Sequence, residues 1–480
     1  MRGVTLASAG EQMPGNEAAE NMIKAVSGDM GRVTAVTGLC FLLTSTAYLA
    51  WAYHMMELVK APVSDAVTLV AAYLLQAAGI GLFSLFMRRR EDLIRPSLYA
   101  AAILHMLCLI PASVGPSLAV VLIFGLAMNV CCGWIAGYYL YRLTLEAGAA
   151  DRAKTLGIGY AAAIVITWML SVVGRGALRS PAGSMGICLF LTVIIFLMVR
   201  TRPSFSETDA GKKNAALKLQ IPAGMSWKHF LILAGLLVFL FSIVNSSGFG
   251  FPSGDLSKGI NLEFSRLFYA AGLVIAGFVN DRNRRYGAVC AVVALVIPFL
   301  MLAIRGESVS LMILWALSYF TFGFYTVYRI VLFSDIAIKK KRLWLAGAGL
   351  MIGRTGDALG ETLCLALSQR YLVLIGVTAL LFMISVLLSF RVFYILYMPE
   401  TVRPRSEREI FQHFSARHDL SAREREVLRY LLEEKTNQEI AEELSISEGT
   451  VKYHIHNLLQ KTSCRNRLDL LSVYAAEHDA

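Results

Sequence analysis

Two groups of residues in this 480-residue chain have the types and spacing to do chemistry. The first lies near the C-terminus: Thr450, Lys452, Tyr453, His456, Asn457, Gln460 and Lys461. Wound at 100° per residue, Val451, Ile455 and Leu458 share one side with His454 at its flank. Lys452, Tyr453, His456 and Gln460 then point the other way, with Thr450 and Asn457 at the margins. Lysine donates to guanine or phosphate, Asn and Gln pair with adenine, and a Thr methyl touches thymine, so the set can read base edges in a major groove. The second group is Arg354, Asp357 and Glu361, at i, i+3 and i+7 in an apolar run, with Arg329 in the run before it. Ionisable groups in lipid are costly and face a protein interior or a wet cavity. These four are expected to form either an ion-paired lock between helices or a site for a ligand or proton. Gln76, His105 and Asn129 are the polar residues of the first half to set beside them.

The elements that must hold these groups follow from composition. Hydrophobic residues make up 56% of the chain and charged residues 16%, against about 25% charged in an average soluble domain. That excludes an ordinary soluble enzyme. Glycine without period, 12 Pro and 8 dispersed Cys exclude collagen-like, disordered and disulfide-scaffold classes. From Val33 onward, twelve apolar runs of about 20 residues follow one another, enough for each to cross roughly 30 Å of hydrocarbon as a helix. Six lie before Arg200 and six after Lys228, with a polar stretch between. The ninth is expected over Tyr286 to Ile304 and the eleventh over Leu343 to Leu367.

Charge orients the bundle. The breaks after even-numbered runs hold twenty Lys and Arg and the odd-numbered breaks six, so the positive-inside rule places both termini in the cytoplasm. From Arg403 onward, 12 basic residues face 14 acidic ones, so the net charge of +11 belongs to the apolar part and reflects topology rather than attraction to phosphates. Residues 1–31 are expected as a poorly ordered cytoplasmic segment, 32–398 as the membrane domain, 399–419 as a polar linker and 420–480 as a soluble domain. Ser421 with Glu424 and Thr436 with Glu439 are two capping boxes marking helix starts. The helices run from about Ala422 to Glu433 and from Asn437 to Leu444, and Ser447 caps a third to about Lys461. Two short helices joined by a tight turn make a helix-turn-helix.

The run Leu420-Ser-Ala-Arg-Glu-Arg-Glu-Val-Leu428, then Thr436-Asn-Gln-Glu-Ile-Ala441, Ile446-Ser-Glu-Gly-Thr-Val-Lys-Tyr-His454 and Arg465-Asn-Arg467, resembles the LuxR-type, GerE-like DNA-binding domain over about 55 residues. The resemblance implies a four-helix domain, with Glu448 to Lys461 in the major groove of double-stranded DNA. It also implies a last helix, about Leu468 to Ala476, at a homodimer interface. Upstream, six plus six helices with Gly277-Phe-Val-Asn-Asp281-Arg282-Asn-Arg284-Arg285 is similar to the major facilitator superfamily, with Arg284 where that family has a second glycine. This likeness implies that Gly277 allows close packing while Asp and Arg latch neighbouring helix ends.

The expected architecture is therefore all-α, a twelve-helix major-facilitator-like bundle followed by a small helix-turn-helix domain. The expected function is a membrane-bound regulator of transcription in a bacterial inner membrane, with a transporter-like domain that senses a small molecule. The alternative is a secondary transporter with a fused regulatory domain. Seven Cys lie in apolar runs, none has zinc-ligand spacing, and the soluble part holds no Ser-His-Asp or paired-carboxylate arrangement. No catalytic site, metal or cofactor is expected.

Overall fold

Apolar runs of about 20 residues fold as helices here, because a helix satisfies its own backbone hydrogen bonds and a lipid-facing strand does not. The computed structural model describes residues 16–59, 64–172, 177–200, 226–249, 262–303, 308–397 and 407–478, in which every long element is a helix. The chain divides into two units, Met1–Tyr397 and Met398–Ala480. The first half of the first unit comprises α1 (Asn16–Val59), α2 (Ser64–Arg89), α3 (Ile94–Val114), α4 (Leu118–Glu146), α5 (Arg152–Val172) and α6 (Pro181–Arg200). Its second half comprises α7 (Trp227–Phe249), α8 (Leu262–Arg282), α9 (Arg284–Ala294), α10 (Val296–Ala303), α11 (Ser308–Lys339), α12 (Ala348–Ala366) and α13 (Tyr371–Tyr397).

Ten helices among the described residues are long and apolar enough to cross a membrane. The other two of the twelve runs form α8 and α12, and both carry charge, including Arg266 and Asp281 in one and Arg354, Asp357 and Glu361 in the other. Leu107, Ile123, Phe190, Leu387 and Phe390 are each more than half exposed, which suits side chains that meet lipid rather than water.

Three boundaries differ from expectation. The ninth run is split at Leu295 into α9 and α10, because Pro298 has no N–H to donate to the carbonyl of Ala294. The eleventh begins with a 3-10 turn at Leu343–Leu345, and α12 starts only at Ala348. Residues from Asn16, expected to be poorly ordered, form the start of α1. Residues 1–15 and 201–225, parts of the N-terminal segment and the central polar stretch, lie outside the described residues.

Small residues set how the helices meet. In the first half α2 packs on α4, and in the second α8 packs on α11; the halves join where α5 meets α8 and α2 meets α12. At the first crossing a Cβ on Gly79 would stand 2.1 Å from the carbonyl oxygen of Val130, and one on Gly133 as close to that of Gln76. At the second, a Cβ on Gly272 would stand 2.0 Å from the carbonyl oxygen of Phe320. The same device thus recurs at corresponding places in the two halves.

The second unit contains α14 (Glu407–Arg417), α15 (Ala422–Leu432), α16 (Asn437–Leu444), α17 (Glu448–Thr462) and α18 (Arg467–His478). Both capping boxes are present, and Ser447 accepts from the Thr450 N–H to start α17. Ser445 and Ser463 adopt left-handed backbone at φ 52° and 58°, ending α16 and α17 sharply. The core gathers Val427, Leu428, Leu431, Ile440, Val451, Leu458 and Leu470. Phe414 is also fully buried there, its ring edge-on to Tyr474 at 5.2 Å. Much of the stretch expected as a linker, 399–419, is therefore a fifth helix of this unit, because Ile410 and Phe414 fall on one face of α14 and are buried.

One substitution at two glycines should act in opposite directions. Gly79→Ala forces a Cβ into the backbone of α4 and should lower the melting temperature of the purified protein or prevent its accumulation. Gly376→Ala, where a Cβ meets nothing within 4 Å, should be neutral or stabilise by up to about 1 kcal/mol. Equal melting shifts for the two variants would contradict the packing described.

Candidate functional site

On α17 the buried stripe is Val451 and Leu458, with Ile455 and His454 half-buried. Lys452, Tyr453, His456 and Gln460 are exposed, Tyr453 at 62% of its surface, while Thr450 and Asn457 are half-buried at the margins. Lys452 Nζ lies 2.8 Å from Glu448 Oε1 one turn back, both side chains being more than half exposed. Such a surface pair contributes about 0.3–0.5 kcal/mol, little enough for a phosphate to displace. The Thr450 hydroxyl is within 2.8 Å of Ser447 Oγ and so belongs partly to the helix cap.

Lys461 differs from the other six. Its ammonium donates to Glu424 Oε2 at 2.7 Å and to the carbonyl of Asp419 at 2.9 Å, fastening the end of α17 to the start of α15. Burial works against the charged form of Glu424. Hydrogen bonds from Lys461 and from the N–H of Ser421 more than offset it and hold the carboxyl below its usual range.

In the first unit the charged group resolves into two separate arrangements. Arg329 Nη1 donates to Asp357 Oδ2 at 2.9 Å and to the Tyr325 hydroxyl at 2.9 Å, joining α11 to α12. Both ionic side chains are almost wholly buried. Arg354, one turn before Asp357, has no carboxylate within ion-pair distance among the described residues; its guanidinium lies 4.5 Å from the ring centre of Tyr73 on α2. Arg329 and Arg354 both line a cavity of about 270 Å³ between the two halves, which also includes Gln76 and Arg266. Glu361 is buried on α12, outside that lining. Gln76 donates to Asn129 at 2.9 Å, whereas His105 is fully buried, with neither ring nitrogen hydrogen-bonded.

A further charged network, only part of it foreshadowed by sequence, closes the other end of the unit. Asp281 accepts the N–H groups of Ala153 and Lys154 at 3.0 and 2.7 Å, capping α5 from the end of α8. Arg284 donates to Asp281 and to Asp335 at 2.8 Å each, and to the carbonyl of Ala149 at 2.6 Å. Arg152 holds the other oxygen of Asp335. Thr144 donates to Ser334 at 3.0 Å beside them. Gly277 lets the helices approach, since a Cβ there would stand 2.8 Å from Cα of Lys154. The loop motif thus works through Asp281 and Arg284. Arg152 and Asp335 were missed by the sequence reading; a charged residue at the end of an apolar run was the signal for each.

The family model described as "Bacterial regulatory proteins, luxR family" matches residues 418–474. Spore germination protein GerE of Bacillus subtilis (strain 168) is 46% identical over 56 residues, which cover 12% of this chain and 76% of that protein. Among solved structures, the human organic anion transporter MFSD10 (TETRAN) superposes with a TM-score of 0.55 at 14% identity, over 76% of this chain and 99% of that one. The proton:xylose symporter XylE of the major facilitator superfamily gives 0.54 at 15% identity, over 78% and 97%. The membrane unit therefore has the major facilitator fold, and the C-terminal unit is a LuxR-type helix-turn-helix domain.

The bonds of Glu424 make a prediction about pH. A carboxyl held below its unfolded value stabilises the fold above that value, near 4.3, and the benefit is lost as pH falls through the folded one. In urea denaturation of residues 398–480, the stability gap between wild type and Glu424→Gln should be constant from pH 7 to about 5 and shrink below about 4. A gap unchanged at pH 3 would contradict the assignment.

Proposed function

Since the chain belongs to the luxR family of bacterial regulatory proteins through residues 418–474, we propose that it is a transcription regulator held in a bacterial inner membrane. Both termini face the cytoplasm, and the membrane unit senses a small molecule. The excess of Lys and Arg in the even-numbered breaks supports the orientation. It binds double-stranded DNA as a homodimer, the two-fold arrangement matching paired half-sites. Base reading is assigned to Lys452, Tyr453, His456 and Gln460, with Thr450 and Asn457 at the edge of the contact. Lys461 serves the fold of the domain, since its ammonium bonds inward to Glu424 and to the carbonyl of Asp419.

The observation that carries this reading is the exposed polar face of a capped α17 in a domain fused to a polytopic unit with a cavity between its halves. Arg329 and Asp357 are assigned to coupling, because they join α11 to α12 beside that cavity and can exist in paired or separated states. A ligand shifts such an equilibrium only through different affinity for the two. A second reading, transport with regulation attached, is favoured by the Asp281–Arg284–Asp335–Arg152 network, which ties the halves together at one end as alternating access requires. Uptake or efflux by reconstituted protein separates the two readings.

In operator-binding titrations, Tyr453→Ala or His456→Ala should cost about 1–3 kcal/mol at one base position, while Lys452→Ala should weaken binding to all sequences and flatten the salt dependence. Unchanged binding by all three variants would refute the assigned face.

Asp357→Asn should leave Arg329 buried without a counter-charge, a change that costs about 3–5 kcal/mol in the paired state. At wild-type abundance this variant should fix target transcription in one state and abolish its response to inducer in a promoter-reporter assay. Normal induction would reject the coupling role.

A further inference from the structure

Among the described residues, the cavity between the halves is lined by three arginines, Arg266, Arg329 and Arg354, and by no Asp or Glu. Arg329 is neutralised by Asp357 at 2.9 Å. Arg354 is not: its buried Nε has no hydrogen-bond partner, and no carboxylate pairs with its head among the described residues. The ring of Tyr73, 4.5 Å away, offers a cation–π attraction, which is weaker than the charge-assisted pairing a guanidinium makes with a carboxylate. The ring alone therefore leaves the charge under-compensated, in a cavity that a counter-ion can enter.

The remaining wall is aromatic. The hydroxyls of Tyr139 and Tyr160 bond to each other at 2.6 Å, and that of Tyr269 donates to Thr326 at 3.2 Å. These three residues use their polar tips on the protein, and their rings line the cavity. Phe41, stacked on Tyr160 at 4.0 Å, extends the same wall. A volume of about 270 Å³ exceeds the roughly 150 Å³ that houses benzene. It falls below the 300–1,000 Å³ usual for drug-sized ligands. One ring with a short charged substituent fits these limits.

We propose that the cavity binds a small organic anion, a single-ring carboxylate, with its charge on Arg354 and its ring against Tyr139, Tyr160 and Tyr269. This rests on the reading of the membrane unit as a sensor and names the class of ligand sensed. Planar, bidentate pairing with a carboxylate is what a guanidinium does better than an ammonium. Asp357 keeps Arg329 from competing for the same anion.

The test uses full-length protein in detergent, melted with benzoate, phenylacetate or salicylate, with the amide of each, and with benzylamine. At least one carboxylate should raise the melting temperature of wild type by a few degrees while its amide does not. Arg354→Gln should abolish the shift, and Arg354→Lys should keep part of it. Without ligand, Arg354→Gln should melt no lower than wild type, because the charge it removes has no carboxylate to pair with among the described residues; a clear loss would mark Arg354 as structural and overturn the proposal. A carboxylate that stabilises Arg354→Gln as much as wild type would also overturn it. If amides or benzylamine produce the shift instead, the ligand class falls and the sensor reading stands. If no compound of either charge produces one, both fall.

Discussion

A charge taken out of water must find a partner, and the membrane unit is organised around that requirement. Asp335, almost wholly buried near the end of α11, takes Arg152 on one oxygen and Arg284 on the other. Arg284 also holds Asp281, which in turn accepts the free N–H groups at the start of α5. Four helices from two halves are thereby tied at one end by groups that cannot separate without entering water or losing partners. Breaking one buried pair from a single side costs about 3–5 kcal/mol, a large fraction of the stability of a typical domain. At the level of the cavity the same requirement is met for Arg329 by Asp357, whereas Arg354 has an aromatic ring and no carboxylate partner among the described residues.

The helix-turn-helix unit obeys a different constraint. It is small, and its helices depend on caps and on a compact core rather than on buried ion pairs. Ser421, Thr436 and Ser447 each satisfy a free N–H at a helix start, and left-handed Ser445 turns the chain between α16 and α17. Glu424 does two tasks, closing the first capping box and anchoring Lys461. With the inner stripe of α17 fixed in this way, Lys452, Tyr453, His456 and Gln460 are presented outward as a rigid set.

The helix starts of the C-terminal unit were legible because hydroxyl and carboxylate spacing states them locally. The outward face of α17 was legible because periodicity alone decides it. Partnerships across helices were legible only in part. Arg329 was set beside Arg354, Asp357 and Glu361, and its pair with Asp357 is the ion-paired lock that was one of the two expectations, but nothing in the spacing turned Arg354 to Tyr73; spacing within one helix does not say which neighbour crosses it. Arg152 and Asp335 looked like charges at the ends of apolar runs, the usual mark of topology, until folding placed them together. Lys461 shares the exposed end of α17 with Gln460, and only the third dimension shows Asp419 and Glu424 within its reach. The segment Ser406 to His418 read as a partly helical linker, and what stayed hidden was that Ile410 and Phe414 bury one face of the helix Glu407–Arg417.

The central claim is that the state of the membrane unit governs where the DNA-binding unit acts. Chromatin immunoprecipitation of full-length protein, comparing wild type with Asp335→Asn at matched abundance, tests it most directly. Asp335→Asn leaves Arg152 and Arg284 without their shared counter-charge and frees the tied end of the bundle, while no residue of α17 changes. Altered occupancy at the wild-type target sites is expected, with DNA binding by residues 398–480 retained. Identical occupancy of wild type and variant across the genome would contradict it and leave the membrane unit as a passive anchor.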